Sequence, residues 1–242
     1  DPQQWAQVVI FSGLMLLYVA NTRRLFPDKI GWVHQNVISL LNFSTISLLL
    51  CTYTGRFVFP LLSLEGRKFW ILGLLPLQRD HLLLGKFAFS ATMALGIAAA
   101  LVLISDFMIG MPIGIILLHL LTVTVLSAGL SGLSVGLGAW MPNFRETDPS
   151  KIAVGFGGTL NLVISLFFLI SVVALMVLPW HVYNGIVAGR AMVEGVTLQP
   201  VDYSPRTVAM IAAGILAGMA IGGAAVVIPM RMGIRSLRRM EF

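Results

Sequence analysis

The stretch SLEGRKFWILGLLPLQRDHLLLGKF, residues 63–87, interrupts a chain that is otherwise almost continuously apolar. Its apolar middle contains Trp70 and is broken by Pro76, and cations stand on both sides. The apolar part is shorter than the about 20 residues that a membrane-spanning helix needs. A short, half-apolar segment with a Trp and flanking cations is typical of a helix that lies in the membrane interface. Two interpretations stay open: an anchor for a loop, or a docking element that presents charges to a cytosolic partner.

The composition places the chain in a membrane. Of its 242 residues, 57% are hydrophobic and 11% are charged, and the mean hydropathy is +0.91. Soluble domains carry about 25% charged residues, and a core of this size cannot hide so much apolar surface. The net charge of +6 comes from cations between apolar runs and at the C-terminus. This distribution indicates contact with anionic lipid headgroups and not with nucleic acid.

Six apolar runs predict an all-α fold, a polytopic transmembrane helical bundle of about six spans. The predicted spans are residues 5–20, 37–62, 86–105, 112–141, 157–179 and 207–230. Asp148-Pro149 and Ser204-Pro205 predict helix starts, because an N-cap side chain there precedes a proline that has no amide to leave unpaired. Glycines four residues apart, at 132–136, 214–218 and 218–222, predict closely packed helices in lipid.

The distribution of Lys and Arg predicts the orientation. If residues 63–87 face the cytoplasm, the inside segments hold ten cations and the outside segments hold five. The chain is therefore predicted in the cell (inner) membrane, with 63–87, 142–156 and the C-terminus cytoplasmic and 180–206 extracytoplasmic. The loop NTRRLFPDK (21–29) opposes this orientation. It is either a tolerated exception or a sign that the first span does not cross completely.

Two phrases carry a resemblance to a known family. RFVFPLLSLEGRKFW (56–70) and MPNFRETDPSKIAVGFGGTLNLV (141–163) are similar to a bacterial group of ABC exporters, and 63–87 resembles the first cytoplasmic segment of type-2 ABC-transporter permeases. The similarity covers about residues 20–165. Members of that group are longer, and the chain starts Asp1-Pro2 without Met, so it is expected to be the C-terminal part of a longer protein.

The resemblance implies that residues 1–242 form one transmembrane permease domain of an ATP-driven ABC exporter. Such a subunit forms the translocation path and couples it to a separate cytosolic ATPase, and a second permease copy or half completes the assembly. Residues 63–87 would be the coupling helix and 142–156 a further contact. The residues implied in ATPase docking are Glu65, Arg67, Lys68, Trp70, Pro76, Arg79 and Asp80. Those implied in the second loop are Arg145, Glu146, Asp148 and Lys151.

Several kinds of chemistry have no motif here. No G-x-x-x-x-G-K-[ST] loop is present in the sequence. The chain is therefore not predicted to be an enzyme or to bind a cofactor. ATP is expected to be hydrolysed by the partner subunit. The four histidines fall in different segments without metal-ligand spacing. His119 and Asn161 lie within spans and are possible path-lining residues. Hydrogen bonding between helices, with Thr or Ser, explains His119 equally well, and an asparagine such as Asn161 more often joins helices than binds substrate. Asp106 is expected to face water at a helix end.

Two other classes of protein compete with the permease. One is an intramembrane enzyme that acts on lipid, and the other is a secondary carrier. The middles of the spans are nearly free of charge, which argues against ion coupling.

Overall fold

The computed structural model describes residues 31–68, 79–194 and 204–239, together with Val9 and Gly13. These residues form seven α-helices and no strand, which confirms the all-α prediction. The helices are α1 (Trp32–Tyr53), α2 (Arg79–Ile109), α3 (Ile113–Trp140), α4 (Pro149–Val154), α5 (Phe156–Met176), α6 (Leu178–Glu194) and α7 (Pro205–Arg239). Five of them, α1, α2, α3, α5 and α7, are long and apolar enough to cross a membrane. The predicted first span, 5–20, lies outside the described residues apart from Val9 and Gly13.

The run predicted as one span at 37–62 is not a single α-helix. α1 starts earlier, at Trp32, and gives way to a π-helical turn (Thr54–Val58) and two 3₁₀ turns (Phe59–Leu61 and Ser63–Lys68). The Thr54 hydroxyl donates to the carbonyls of Leu50 and Cys51 at the start of the irregular stretch. Pro60 has no amide to continue an α-helical ladder. Hydropathy alone does not register such a change of helix type.

The most extensive contact between helices joins α3 to α7, which run parallel. α3 is the most buried of the five long helices. A methyl group on Gly136 would overlap the backbone of Pro229, and one on Gly132 would overlap the backbone of Val226. The absence of side chains at these two glycines lets the helix backbones touch, as van der Waals association in lipid requires. The prediction from the 132–136 spacing is confirmed.

The glycines of α7 pack against a second helix. A methyl on Gly214 would overlap the Leu175 carbonyl, and one on Gly218 would overlap the Met176 side chain, both on α5. This confirms the packing prediction for 214–218. α7 is therefore wedged between α3 and α5.

Both predicted helix starts are confirmed. The Asp148 carboxylate accepts a hydrogen bond from the Ser150 amide at 2.9 Å, and α4 begins at Pro149. The Ser204 hydroxyl accepts from the Thr207 amide at 3.3 Å, and α7 begins at the next residue. Of the segment 180–206, which was predicted as a loop, residues 180–194 belong to the helix α6.

The three segments predicted to share one side of the membrane meet at one end of the bundle. The Asn143 amide donates to the Ser63 hydroxyl at 3.0 Å, and Arg238 of α7 pairs with Asp80 of α2. We call this end, formed by 54–68, 79–86, 141–155 and 231–239, the charged end. That it faces the cytoplasm stays a prediction.

Candidate functional site

At the charged end, Glu65 is held by a cation of its own chain. Its Oε1 lies 2.6 Å from the Lys86 ammonium, which also approaches the Leu61 carbonyl oxygen at 3.5 Å. The two side chains are 29% and 16% exposed, respectively. This pair joins the 3₁₀ turn Ser63–Lys68 to the second turn of α2.

A second ion pair fixes the start of α2 to the end of α7. The Arg238 guanidinium donates to both carboxylate oxygens of Asp80, with Nε at 3.1 Å from Oδ1 and Nη2 on Oδ2. Such a two-point arrangement adds geometric specificity to the charge attraction. Asp80 also lies in the first turn of α2, where the helix dipole favours a negative charge.

The other described residues that were predicted to dock a partner also lie at the charged end. Arg67 and Lys68 close the 3₁₀ turn, and Arg79 is the first residue of α2. Trp70 and Pro76 lie outside the described residues. The structure thus brings both flanks of 63–87 together at the charged end.

The second loop is an exposed turn organised by its own carboxylates. Glu146 Oε1 accepts from the amides of Thr147 and Asp148 at 3.1 and 3.3 Å and lies 4.0 Å from the Lys151 ammonium. The Arg145 amide donates to the Asn143 side chain at 3.2 Å. Asp148 acts as the N-cap of α4. These contacts define the shape of the loop.

A different polar group lies at the opposite end of the bundle, where α1, α2, α3 and α6 meet. We call its members Asn36, Ser39, Asp106, His119 and His181 the histidine cluster. Each is at most 3% exposed. Asp106 was expected to face water, and this was wrong, because α1 and α3 cover the end of α2. Its Oδ2 lies 2.7 Å from His119 Nδ1, and its Oδ1 accepts from the Ser39 hydroxyl at 3.1 Å.

The two imidazoles of the histidine cluster face each other through their Nε2 atoms, which are 3.1 Å apart. On its other side, His181 Nδ1 lies 2.7 Å from Asn36 Oδ1 and 3.1 Å from the Asn36 carbonyl oxygen. The Asn36 amide nitrogen donates to the His181 carbonyl at 2.8 Å. The result is one continuous chain of contacts from α2 through α3 and α6 to α1.

Aromatic rings enclose this chain of contacts. Phe43 stacks on His119 with ring centroids 4.4 Å apart, and Trp180 and His181 form a T-shaped pair with centroids 5.1 Å apart. Burial, assisted by the neighbouring His119, lowers the pKa of His181 to about 3. His181 is therefore a neutral ring over the physiological pH range.

The two residues predicted as possible path-lining groups, His119 and Asn161, are both fully buried. His119 belongs to the histidine cluster, and Asn161 of α5 donates to the Ser134 hydroxyl of α3 at 3.2 Å. Asn161 thus makes the interhelical bond that was the alternative interpretation. His119 also bonds between helices, but to an aspartate and a histidine and not to Ser or Thr.

Sequence reasoning missed the rest of the histidine cluster. Asp106 and His119 flank the short connection between α2 and α3, so antiparallel pairing of these spans could have suggested their contact. Asn36 and His181 are separated by 145 residues, and no local pattern links them.

With the geometry in place, the comparisons with known proteins decide the family. A family model with the description "Putative ATP-binding cassette" matches residues 1–242. The chain belongs to this ATP-binding cassette family. No curated protein and no solved structure matches it.

The family match corrects two predictions. The family's description names an ATP-binding cassette and not a permease. The resemblance to type-2 permeases was therefore wrong, and so was the function of a path-forming permease in an ABC exporter. The match also gives no support to an intramembrane lipid enzyme or to a secondary carrier. The association with ABC systems and the membrane-length helices stand.

Proposed function

We propose that this member of the ATP-binding cassette family is a membrane-embedded subunit that binds a separate cytosolic ATPase at its charged end. ATP is hydrolysed by that partner and not by this chain. The observation that carries the proposal is the pair of intrachain ion pairs, Glu65–Lys86 and Asp80–Arg238, which tie both flanks of 63–87 to the helix bundle.

The sequence supports a division of labour between two subunits. A nucleotide-binding cassette holds phosphates with the backbone amides and the lysine of a G-x-x-x-x-G-K-[ST] loop, and the chain contains no such sequence. The Gly-rich stretch at 155–159 begins α5 instead, and a methyl group on Gly158 would overlap the backbone of Ala153. Gly158 serves the close contact between α4 and α5.

The ion pairs support docking because they make the flanks of 63–87 part of the bundle. Glu65 is anchored to α2, and the first turn of α2 is anchored to α7 through Asp80. A partner that contacts 63–87 would therefore act on α2 and α7 together. In this proposal Arg67, Lys68 and Arg79 supply the cations that a partner's carboxylates meet.

The proposal includes the membrane arrangement. Residues 5–20 supply a sixth span, 63–87 lies in the interface of the cell membrane, and the charged end and the C-terminus face the cytoplasm. The ten-to-five distribution of cations supports this orientation.

The test is copurification of cytosolic ABC ATPases with this chain, followed by ATP hydrolysis measurements in nanodiscs. We expect R67E/R79E to lose at least about 90% of the bound ATPase, because charge reversal at a docking surface is strongly unfavourable. R206E is the matched control, since Arg206 is exposed in the first turn of α7 at the opposite end. Equal retention of the ATPase by both variants would contradict the docking role. Nucleotide binding or hydrolysis by the purified chain alone would contradict the division of labour.

A further inference from the structure

We propose that the histidine cluster is a proton-binding site: one proton lies between His119 Nε2 and His181 Nε2, is balanced by the Asp106 carboxylate, and clamps α6 onto α1, α2 and α3. This site is at the end of the bundle opposite the proposed docking surface and does not depend on it.

The first step is the tautomer of His181. Its Nδ1 faces two oxygens of Asn36, Oδ1 at 2.7 Å and the carbonyl at 3.1 Å. The Asn36 side chain cannot be flipped to change this, because its nitrogen donates to the His181 carbonyl at 2.8 Å. Nδ1 therefore carries a hydrogen. In a neutral imidazole with Nδ1 protonated, Nε2 has a lone pair and only accepts.

The second step is His119. Its Nδ1 lies 2.7 Å from Asp106 Oδ2, while the other carboxylate oxygen accepts from Ser39. An ionised carboxylate only accepts hydrogen bonds, so His119 Nδ1 is also a donor. If His119 were neutral, its Nε2 would present a lone pair to the lone pair of His181.

The third step is the distance between the two rings. A separation of 3.1 Å between two nitrogens is a hydrogen-bond distance and requires a hydrogen between them. Since both Nδ1 atoms already carry hydrogens, this hydrogen is an additional proton. The cluster then holds one imidazolium, one neutral imidazole and one carboxylate, and has no net charge.

The surroundings assign the proton to His119. Among the described hydrogen bonds of the two rings, the Asp106 carboxylate pairs with His119, and the face of Phe43 stacks on this ring, a position that attracts a cation. Burial and the neighbouring His119 lower the pKa of His181, so His181 accepts the hydrogen bond and does not take the charge. Every ring nitrogen in the pair then has a partner, as a buried charge requires.

No other charged group among the described contacts of the two rings competes for the proton. α1 contributes the neutral groups Asn36, Ser39 and Phe43, α6 contributes Trp180, and α2 contributes Asp106. Within the described ranges no group of three His, Cys, Asp or Glu side chains is arranged to hold a metal ion. Loss of the proton would leave two lone pairs in contact, and α6 would separate from α3.

The direct test is nitrogen-15 NMR of the histidine rings in lipid bilayers at pH 8. The chain has four histidines, and the two outside the cluster, His34 and His81, are exposed. The double variant H34Q/H81Q therefore retains only the pair in question without altering the cluster. We expect one ring with both nitrogens protonated and one ring with a single protonated nitrogen. Two neutral rings at pH 8 would overturn the proposal, and so would signals that change when a metal chelator is added.

The clamp is tested by hydrogen exchange of α6 in nanodiscs. In D106N the carboxylate that balances the proton is gone, and we expect amides of residues 178–187 to exchange at least about tenfold faster, as in a local opening. D148N is the matched control, because Asp148 caps α4 at the charged end. Unchanged α6 exchange in D106N would overturn the clamp even if the proton is present.

Discussion

Each end of the bundle contains an acid–base pair, and the two pairs differ in their exposure to solvent. In the histidine cluster, the Asp106 and His119 side chains are 3% and 0% exposed. At the charged end, the Asp80 and Arg238 side chains are 26% and 64% exposed. The loss of one partner therefore has different consequences in the two pairs. The buried pair is costly to break because a lone charge would remain without solvent, whereas the exposed pair is weakened by water and salt.

The difference matches the roles proposed for the two ends. A surface that must bind and release another protein benefits from ion pairs that can exchange partners. A junction of four helices is stabilised by buried contacts that water cannot replace. The following experiments change one end at a time.

The largest effect is expected for D106A. Removal of the carboxylate leaves the His119 ring buried opposite an empty site, and loss of one partner of a buried pair costs about 3–5 kcal/mol. Denaturant unfolding in detergent measures this cost. D148A, which removes only the exposed N-cap of α4, should lose about 1 kcal/mol. Equal losses in the two variants would mean that the ends do not differ as described.

The next effect concerns the packing of α3 against α7. In G136V the new side chain overlaps the Pro229 backbone, which cannot move aside as a flexible side chain could. Overpacking of this kind costs about 1–3 kcal/mol. G114V is the control on the same helix, since a side chain there meets open space. Equal unfolding free energies for the two variants would show that the α3–α7 contact is looser than the structure indicates.

Acidification should weaken the histidine end. The pKa of folded His181 is lowered to about 3 by burial and by His119, whereas an unfolded histidine titrates near about 6.5. Between these pH values the unfolded chain binds a proton that the folded chain does not. The contribution of His181 to the unfolding free energy therefore decreases by up to about 1.4 kcal/mol for each unit by which the pH is lowered.

The measurement is the difference in unfolding free energy between the parent and H181Q at pH 6.5 and at pH 4.5. This difference should shrink on acidification, because H181Q lacks the titrating group. H34Q is the control, since His34 is exposed on α1, and its difference should stay constant. If the unfolding free energies of the parent and of H181Q changed by the same amount between the two pH values, the burial of a neutral His181 would be contradicted.

The smallest effect is expected for R238Q. The pair with Asp80 is largely exposed, so salt screens it and its loss should leave the unfolding midpoint in 1 M salt unchanged. R235Q, at an exposed position one turn earlier on α7, serves as the control. A large loss of stability in R238Q alone, undiminished by salt, would show that the charged end is not held as weakly as its exposure suggests.

The sequence was informative where structure depends on neighbours along the chain. Hydropathy located the long helices, Asp148-Pro149 and Ser204-Pro205 located two helix starts, and the spacing of Gly132 and Gly136 identified a packing face. These signals are local. They depend on helix period, on capping, or on the absence of a side chain.

The sequence was uninformative where distant residues meet. His119 and His181 are 62 residues apart and Asn36 is farther still, so no spacing rule joins them. Asp106 was misjudged because its position near a helix end does not reveal which helices cover it. Two short phrases indicated an ABC system but also suggested a permease, and the match over the whole chain corrected the permease interpretation.

The contact between α3 and α7 has a consequence for biosynthesis. α3 leaves the ribosome well before α7, so its glycine face has no permanent neighbour while α4, α5 and α6 are being made. Nascent chains stalled before residue 205 should therefore expose the Gly132–Gly136 face and be recognised by membrane quality-control proteases. Insertion of α7 then closes the bundle in a single late step of assembly.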